Sequence, residues 1–232
     1  MIEAEWWDYE TSDEMADAVA GDVGFIIESA LDARNDCLLA LPGGKSPIAI
    51  FERLKDAKIN WRRVTIVPGD DRLVPVDDPL SNVALLAKHF MPLGARVVPI
   101  ASANLGYRQA GEAAEARVND LKWPPDLVWL GMGTDGHTAS IFPGPDYDEA
   151  LASRRRAIGV QPDPLPPEAP VARVTLTKSA ILSARAILIT VAGDKKKAVL
   201  EAAIEEGAKS SYPIGRVLAD AEQPIDIHWS KA

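Results

Sequence analysis

The sequence predicts an α/β protein: a three-layer α/β/α arrangement around a mostly parallel, Rossmann-like sheet, with residues 1–232 in a single domain. Three observations carry this. Apolar runs of strand length alternate along the chain with longer segments of helical patterning, as parallel strands joined by crossover helices require. The runs LLAL, LVWL and AILITV are nearly continuous rather than alternating, which suits strands covered on both faces. With 47% hydrophobic and 25% charged residues, the chain can bury a substantial core.

The opening stretch, MIEAEWWDYE, is acidic and lacks the basic flank and apolar run of a secretory signal. A helix is expected over Asp13–Arg34, where Met15, Val19, Val23, Ile26, Ile27 and Leu31 recur at helical spacing behind Ser12 as N-cap. Cys37–Leu41 reads as the next strand. Cys37 is the only cysteine, which excludes a disulfide framework and a multi-cysteine metal site, and it is read as a buried strand thiol. Further strands are expected at Val64–Val67, Arg96–Ile100, Asp126–Gly131, Ala186–Val191 and Ile225–Trp229. Helices are expected at Pro47–Leu54, Asn82–Phe90, Tyr107–Leu121 and Lys195–Glu206. The Pro-rich piece Gln161–Pro170 can be neither a regular helix nor a central strand. It is expected as an exposed loop inside the domain, because later strands are needed to complete the sheet.

Charge and hydropathy exclude some function classes. The formal net charge of −9, from 34 acidic against 25 basic residues, argues against nucleic acid or anionic membranes as partners. The longest apolar stretches fall far short of the roughly 20 residues that span a bilayer. A cytoplasmic location is expected, and an anionic ligand would need a local basic pocket.

Three segments that follow strands carry candidate chemistry. In Leu41–Pro47, LPGGKSP, two glycines allow close backbone approach, and free amides at a helix start attract an anion, although a plain tight turn would read the same way. Its spacing matches neither nucleotide-binding fingerprint. In Pro68–Pro75, PGDDRLVP, a guanidinium could hold an oxyanion and a carboxylate could orient or act as a base, unless the segment is only a solvated turn. In Leu130–Gly144, LGMGTDGHTASIFPG, His137 is expected near the start of another helix, where it could activate water while Asp135 holds its tautomer. His89 and His228 are read as structural. Arg173 and Lys196 are the remaining basic candidates; a lysine in the first turn of a helix opposes the dipole and so hints at an anion there.

Taken in order, GGKSP, DDRLVP followed by Ser81-Asn82, LGMGTDGHTASIFPG, RVTLT and GDKKKAVL resemble the glucosamine-6-phosphate isomerase/6-phosphogluconolactonase family, over about Ala40 to Leu218. Deaminating isomerases typically continue into Asn-Glu-Pro and carry tyrosine at the place of Arg72. Here the continuation is Ala139–Gly144, ASIFPG, which favours the lactonase branch. Two departures are visible: lactonases commonly show Ser-Gly-Gly-Ser-Thr-Pro where this chain has PGGKSP, and Asp-Glu-Arg where it has Asp70-Asp71-Arg72.

The resemblance implies hydrolysis of 6-phospho-D-glucono-1,5-lactone to 6-phospho-D-gluconate, in the oxidative pentose phosphate pathway, with a small phosphorylated sugar lactone as partner and no cofactor or metal. It implies His137 as general base, Arg72 as stabiliser of the carbonyl oxyanion, and Asp70 and Asp135 as orienting groups. Arg173, Lys196, Gly43, Gly44, Lys45 and Ser46 would hold the phosphate. A glucosamine-6-phosphate deaminase and a non-enzymatic phosphosugar-sensing module are the rivals. The missing Asn-Glu-Pro opposes the first, and the retained His137 and Arg72 oppose the second.

Overall fold

The structure, a computed structural model, describes residues 2–231; Met1 and Ala232, the two ends of the expected domain, lie outside the described residues. The chain opens with a strand not expected from sequence, β1 (Glu5–Tyr9), whose mixed acidic and aromatic residues hide its pattern. Then α1 (Ser12–Arg34) covers one sheet face, burying Met15, Val19, Val23 and Ile27. Its N-cap is Thr11 rather than Ser12: Thr11 has extended backbone and its hydroxyl accepts the Glu14 amide at 3.2 Å, so Ser12 falls inside the helix.

Next come β2 (Cys37–Leu41), α2 (Ile48–Leu54), β3 (Val64–Pro68), β4 (Asp70–Arg72) and α3 (Asn82–Phe90). The strand expected at Arg96–Ile100 shortens to β5 (Arg96–Val97), because Pro99 has no amide to continue the ladder beyond the Val98 bond to Ile66. There follow α4 (Tyr107–Asn119), β6 (Leu127–Leu130), α5 (Tyr147–Ala152), β7 (Ala157–Val160), β8 (Arg173–Leu176), α6 (Lys178–Leu182), β9 (Ile187–Ala192), α7 (Asp194–Glu206), α8 (Pro213–Leu218) and β10 (Ile225–Ser230). The Pro-rich segment 161–170 is irregular, as expected.

Seven strands form one parallel sheet in the order β1-β10-β9-β6-β2-β3-β5. Adjacent residues of its strands feed opposite layers. Leu38, Ala40, Val128 and Leu130 pack into one apolar cluster, and Leu39, Leu41, Leu127 and Trp129 into the other, beneath α1, α2 and α3. Each such fully buried Leu, Ile or Val contributes about 1.5–3 kcal/mol. Cys37 is among them, and burial pushes its thiol pKa well up. A smaller antiparallel sheet, β4-β8-β7, branches off after Gly69, where the chain leaves β3. No described helix is long and apolar enough to cross a membrane.

His89 and His228 are buried framework residues. His228 on β10 lies 3.0 Å from the Tyr9 hydroxyl through Nδ1, and burial pulls its pKa down to about 4. Its neutral form is therefore favoured in the folded state, and that contribution is full above the unfolded pKa of about 6.5 and lost as pH falls towards 4. The expected result is that the Tm advantage of wild type over His228→Gln narrows from pH 7 to pH 4.5 in thermal melts. A difference constant with pH would show that His228 is not discharged by folding.

Candidate active site

The strand order reverses around β2: the chain adds β3 and β5 on one side, then returns to place β6 and β9 on the other. In open parallel sheets such a switch point leaves a crevice beyond the carboxyl ends of the strands. A cleft of about 200 Å³ lies there. The loop after β2 lines it with Gly43, Gly44, Lys45 and Ser46, β4 with Asp70 and Arg72, the loop after β6 with His137, and the first turn of α7 with Lys196, while β8 adds Arg173. Asp135 completes the expected set by standing behind His137.

The Asp135 carboxylate is 2.5 Å from His137 Nδ1 and also accepts the His137 amide at 3.2 Å. The bond to His137 outweighs partial burial and holds the Asp135 pKa down to about 2. An ionised Asp135 accepts a hydrogen bond from Nδ1–H, which keeps the proton on Nδ1 and leaves Nε2 with its lone pair free, the tautomer a general base needs. Gly133 donates its amide to the His137 carbonyl at 2.9 Å, closing the loop around the ring. A side chain at Gly133 would overlap the imidazole. The helix expected at His137 does not form. Gly136 and Ala139 have φ of 77° and 48°, in the left-handed region, which break a helical path, and α5 starts only at Tyr147.

Arg72 is fixed from the side: its Nη1 donates to the Leu80 carbonyl at 3.0 Å and to Asn82 Oδ1 at 2.7 Å. Asn82 Nδ2 in turn donates to the Asp70 carbonyl at 2.7 Å, so Asp70 reaches Arg72 through Asn82 rather than directly. The Asp70 carboxylate also accepts Asn82 Nδ2 at 3.4 Å through Oδ1, and through Oδ2 it accepts the Ser140 hydroxyl at 2.5 Å, tying the β4 segment to the histidine loop. Asp71 points away and caps α3, accepting the Asn82 and Val83 amides at 2.6 and 3.1 Å; burial nonetheless pushes its pKa up to about 6. Gly43 is required where it stands, because a Cβ there would overlap the Asn82 amide.

Arg173 is the Cα partner of Arg72 in the β4–β8 ladder, which sets two guanidinium groups on one wall. It is buried and its Nη2 donates to the Ala169 carbonyl at 3.2 Å, while its Nε has no hydrogen-bond partner among the described residues. Burial lowers the pKa of Arg173, opposed by nearby Asp70, and burial likewise lowers that of Lys196, opposed by Asp135. Among the described residues no carboxylate lies within 4.0 Å of the charged nitrogens of Lys45, Arg72, Arg173 or Lys196, although Lys197 next door pairs with Asp8 at 2.8 Å. Nor do the amides of Gly43, Gly44, Lys45 and Ser46 meet an acceptor among the described residues. Cations without an ion-pair partner among the described residues and free amides around one cleft, on a chain of net charge −9, suit an anionic small molecule beside an oriented imidazole.

Several lining or supporting residues were given no role by sequence reasoning: Gly133, Ser140, Phe142, Asn82 and Glu168. Ser81-Asn82 and ASIFPG were visible as motif segments, but nothing in the sequence places Asn82 against Arg72 or Phe142 against His137. Glu168 sits in the Pro-rich loop, whose return to the cleft no local pattern signals.

Residues 10–229 match the family model described as Glucosamine-6-phosphate isomerases/6-phosphogluconolactonase. The chain is 36% identical over 228 residues to a 6-phosphogluconolactonase of Rhizobium meliloti, covering 96% of this chain and 97% of the relative. It is also 36% identical to one of Pseudomonas putida, covering 93% and 91%. A crystal structure of a 6-phosphogluconolactonase from Shewanella baltica superposes with a TM-score of 0.91 at 30% identity, over 99% of both chains. With the switch-point cleft, the Asp135–His137 pair and these likenesses in place, the chain belongs to the glucosamine-6-phosphate isomerase/6-phosphogluconolactonase family.

Proposed function

We propose that the chain is an enzyme of the carboxylic ester hydrolase class that opens 6-phospho-D-glucono-1,5-lactone to 6-phospho-D-gluconate, working in the cytoplasm as a single domain. The observation that carries this is the set of cations, Lys45, Arg72, Arg173 and Lys196, that have no ion-pair partner among the described residues and line the same cleft as His137 with its Asp135 partner.

In this reading the phosphate sits against Arg173, Lys196 and the Gly43–Ser46 loop, with Lys45 supplying charge where relatives of this type commonly have serine. Arginine offers paired donors and lysine a point charge. His137 Nε2 takes a proton from water as the water oxygen bonds to the lactone carbonyl carbon. Arg72 faces the oxygen that becomes negative, and one well-placed donor of this kind is worth roughly 3 kcal/mol. When the tetrahedral species collapses, the carbon–ring-oxygen bond breaks and His137 returns its proton to the ring oxygen. Asp135 keeps the imidazole in the required tautomer, and Asp70 holds the Arg72 wall through Asn82 and the histidine loop through Ser140.

The test is a coupled assay with freshly generated lactone, corrected for spontaneous hydrolysis, with glucosamine 6-phosphate in parallel. The expected result is lactone opening with no deamination; deamination instead would overturn the reading. The phosphorylated lactone should show a higher kcat/KM than the unphosphorylated one. Arg173→Ala should erode that preference by about 1.5–3 kcal/mol, the scale of a hydrogen bond to a charged group. A variant with wild-type preference would remove Arg173 from the phosphate site.

A further inference from the structure

Phe142 touches both halves of this machinery. Its ring stacks on the His137 imidazole, with centroids 4.1 Å apart and planes inclined by 27°. The Arg173 guanidinium carbon lies 5.0 Å from the centre of the same ring. The ring stands on a fixed segment. Two residues before it, Ser140 donates its hydroxyl to Asp70 at 2.5 Å and its amide to Thr175 Oγ1 at 3.1 Å, and Ile141 is wholly buried in the core.

Each of the two site residues lacks something that Phe142 supplies. Asp135 holds one edge of the imidazole, which leaves the ring free to tilt about that bond; a stacked ring removes the tilt. Among the described residues Arg173 has a hydrogen bond to the Ala169 carbonyl and no carboxylate within 4.0 Å, so the aromatic face gives it lateral support. We infer that Phe142 is a positioning residue that holds the general base and the phosphate anchor against one common platform, so that seating the phosphate and aiming Nε2 are mechanically joined. This rests on the roles proposed for His137 and Arg173.

The experiment is steady-state kinetics of Phe142→Leu and Phe142→Tyr on phosphorylated and unphosphorylated lactone, with near-ultraviolet circular dichroism to confirm native packing. Phe142→Leu should lower kcat roughly three- to ten-fold on both lactones, the scale of a lost aromatic pair. It should also shrink the kcat/KM preference for the phosphorylated lactone by a similar factor, while Phe142→Tyr, which keeps the ring, restores both. In an Arg173→Ala background, Phe142→Leu should no longer change the preference. A natively packed Phe142→Leu with wild-type kcat and preference overturns the inference, and so does a loss of kcat with the preference intact. If His137→Ala kept full kcat, the general-base role on which the platform rests would fall; if only Phe142→Leu did so, the platform alone would.

Discussion

Replacing His137 with alanine should lower kcat by roughly 10²–10⁴-fold, the usual contribution of a positioned proton-transfer group. Product binding should change far less, because the cations proposed to hold the phosphate stand on other segments of the cleft, Lys45 in the loop after β2, Arg173 on β8 and Lys196 on α7. In the wild type, activity should decline on the acidic side of its pH profile, as a protonated imidazole cannot accept a proton from water. His137→Gln keeps volume and some hydrogen bonding without the base, and should be nearly as impaired. The check is kcat per folded molecule with folding measured independently. The Asp135–His137 bond also braces the loop, so a structural role would instead lower stability and leave turnover of the folded fraction intact. Near-normal kcat with an unchanged acidic limb would sink the assignment and move suspicion to Asp70.

Gly133→Ala is the second large effect, and it changes no chemical group. The added methyl would overlap the His137 ring and crowd the Asp135 carboxylate, and these are side chains that can swing aside rather than backbone that must rebuild. The protein should therefore fold normally with its imidazole displaced. Misplacement on the scale of 1 Å costs about 10²-fold in rate. Thermal stability within a few degrees of wild type and a kcat lowered by about that factor are expected. A kcat within three-fold of wild type would mean that the ring does not need the position it occupies here.

Gly133 also marks where the sequence stopped being readable. The parallel strands other than β1, the longer covering helices and the loops that line the cleft follow from local patterning, since strands covered on both faces are apolar along their whole length and α3 runs over the expected Asn82–Phe90. The antiparallel β4-β8-β7 sheet does not, because its strands are short and β4 pairs with β8 across about a hundred residues: Asp70 lies opposite Thr175. Consequently the sequence could nominate Arg72 and Arg173 separately but could not place them side by side. It could nominate Asp70 as an orienting group, but not that the orientation passes through Asn82 or Ser140. Phe142 reads as one more apolar residue until the histidine loop is folded, because its neighbours His137 and Arg173 come from different elements. The helix expected at His137 failed for a local reason: the backbone turns at Gly136 and Ala139 with positive φ, and only the glycine announces that in advance.

The pairing of β1 with β10 bears on how the chain is assembled during synthesis. Glu5 lies beside Asp226 and Tyr9 beside Ser230, so β1 leaves the ribosome long before β10, its one ladder partner among the described residues. Until residues 225–230 emerge, β9 has an open edge and β1 has no neighbour, however completely the middle of the sheet has formed. β10 then enters between them, closing two ladders in one step. A nascent chain halted before Ile225 would present an unpaired parallel edge, the kind of surface on which strands of other molecules add.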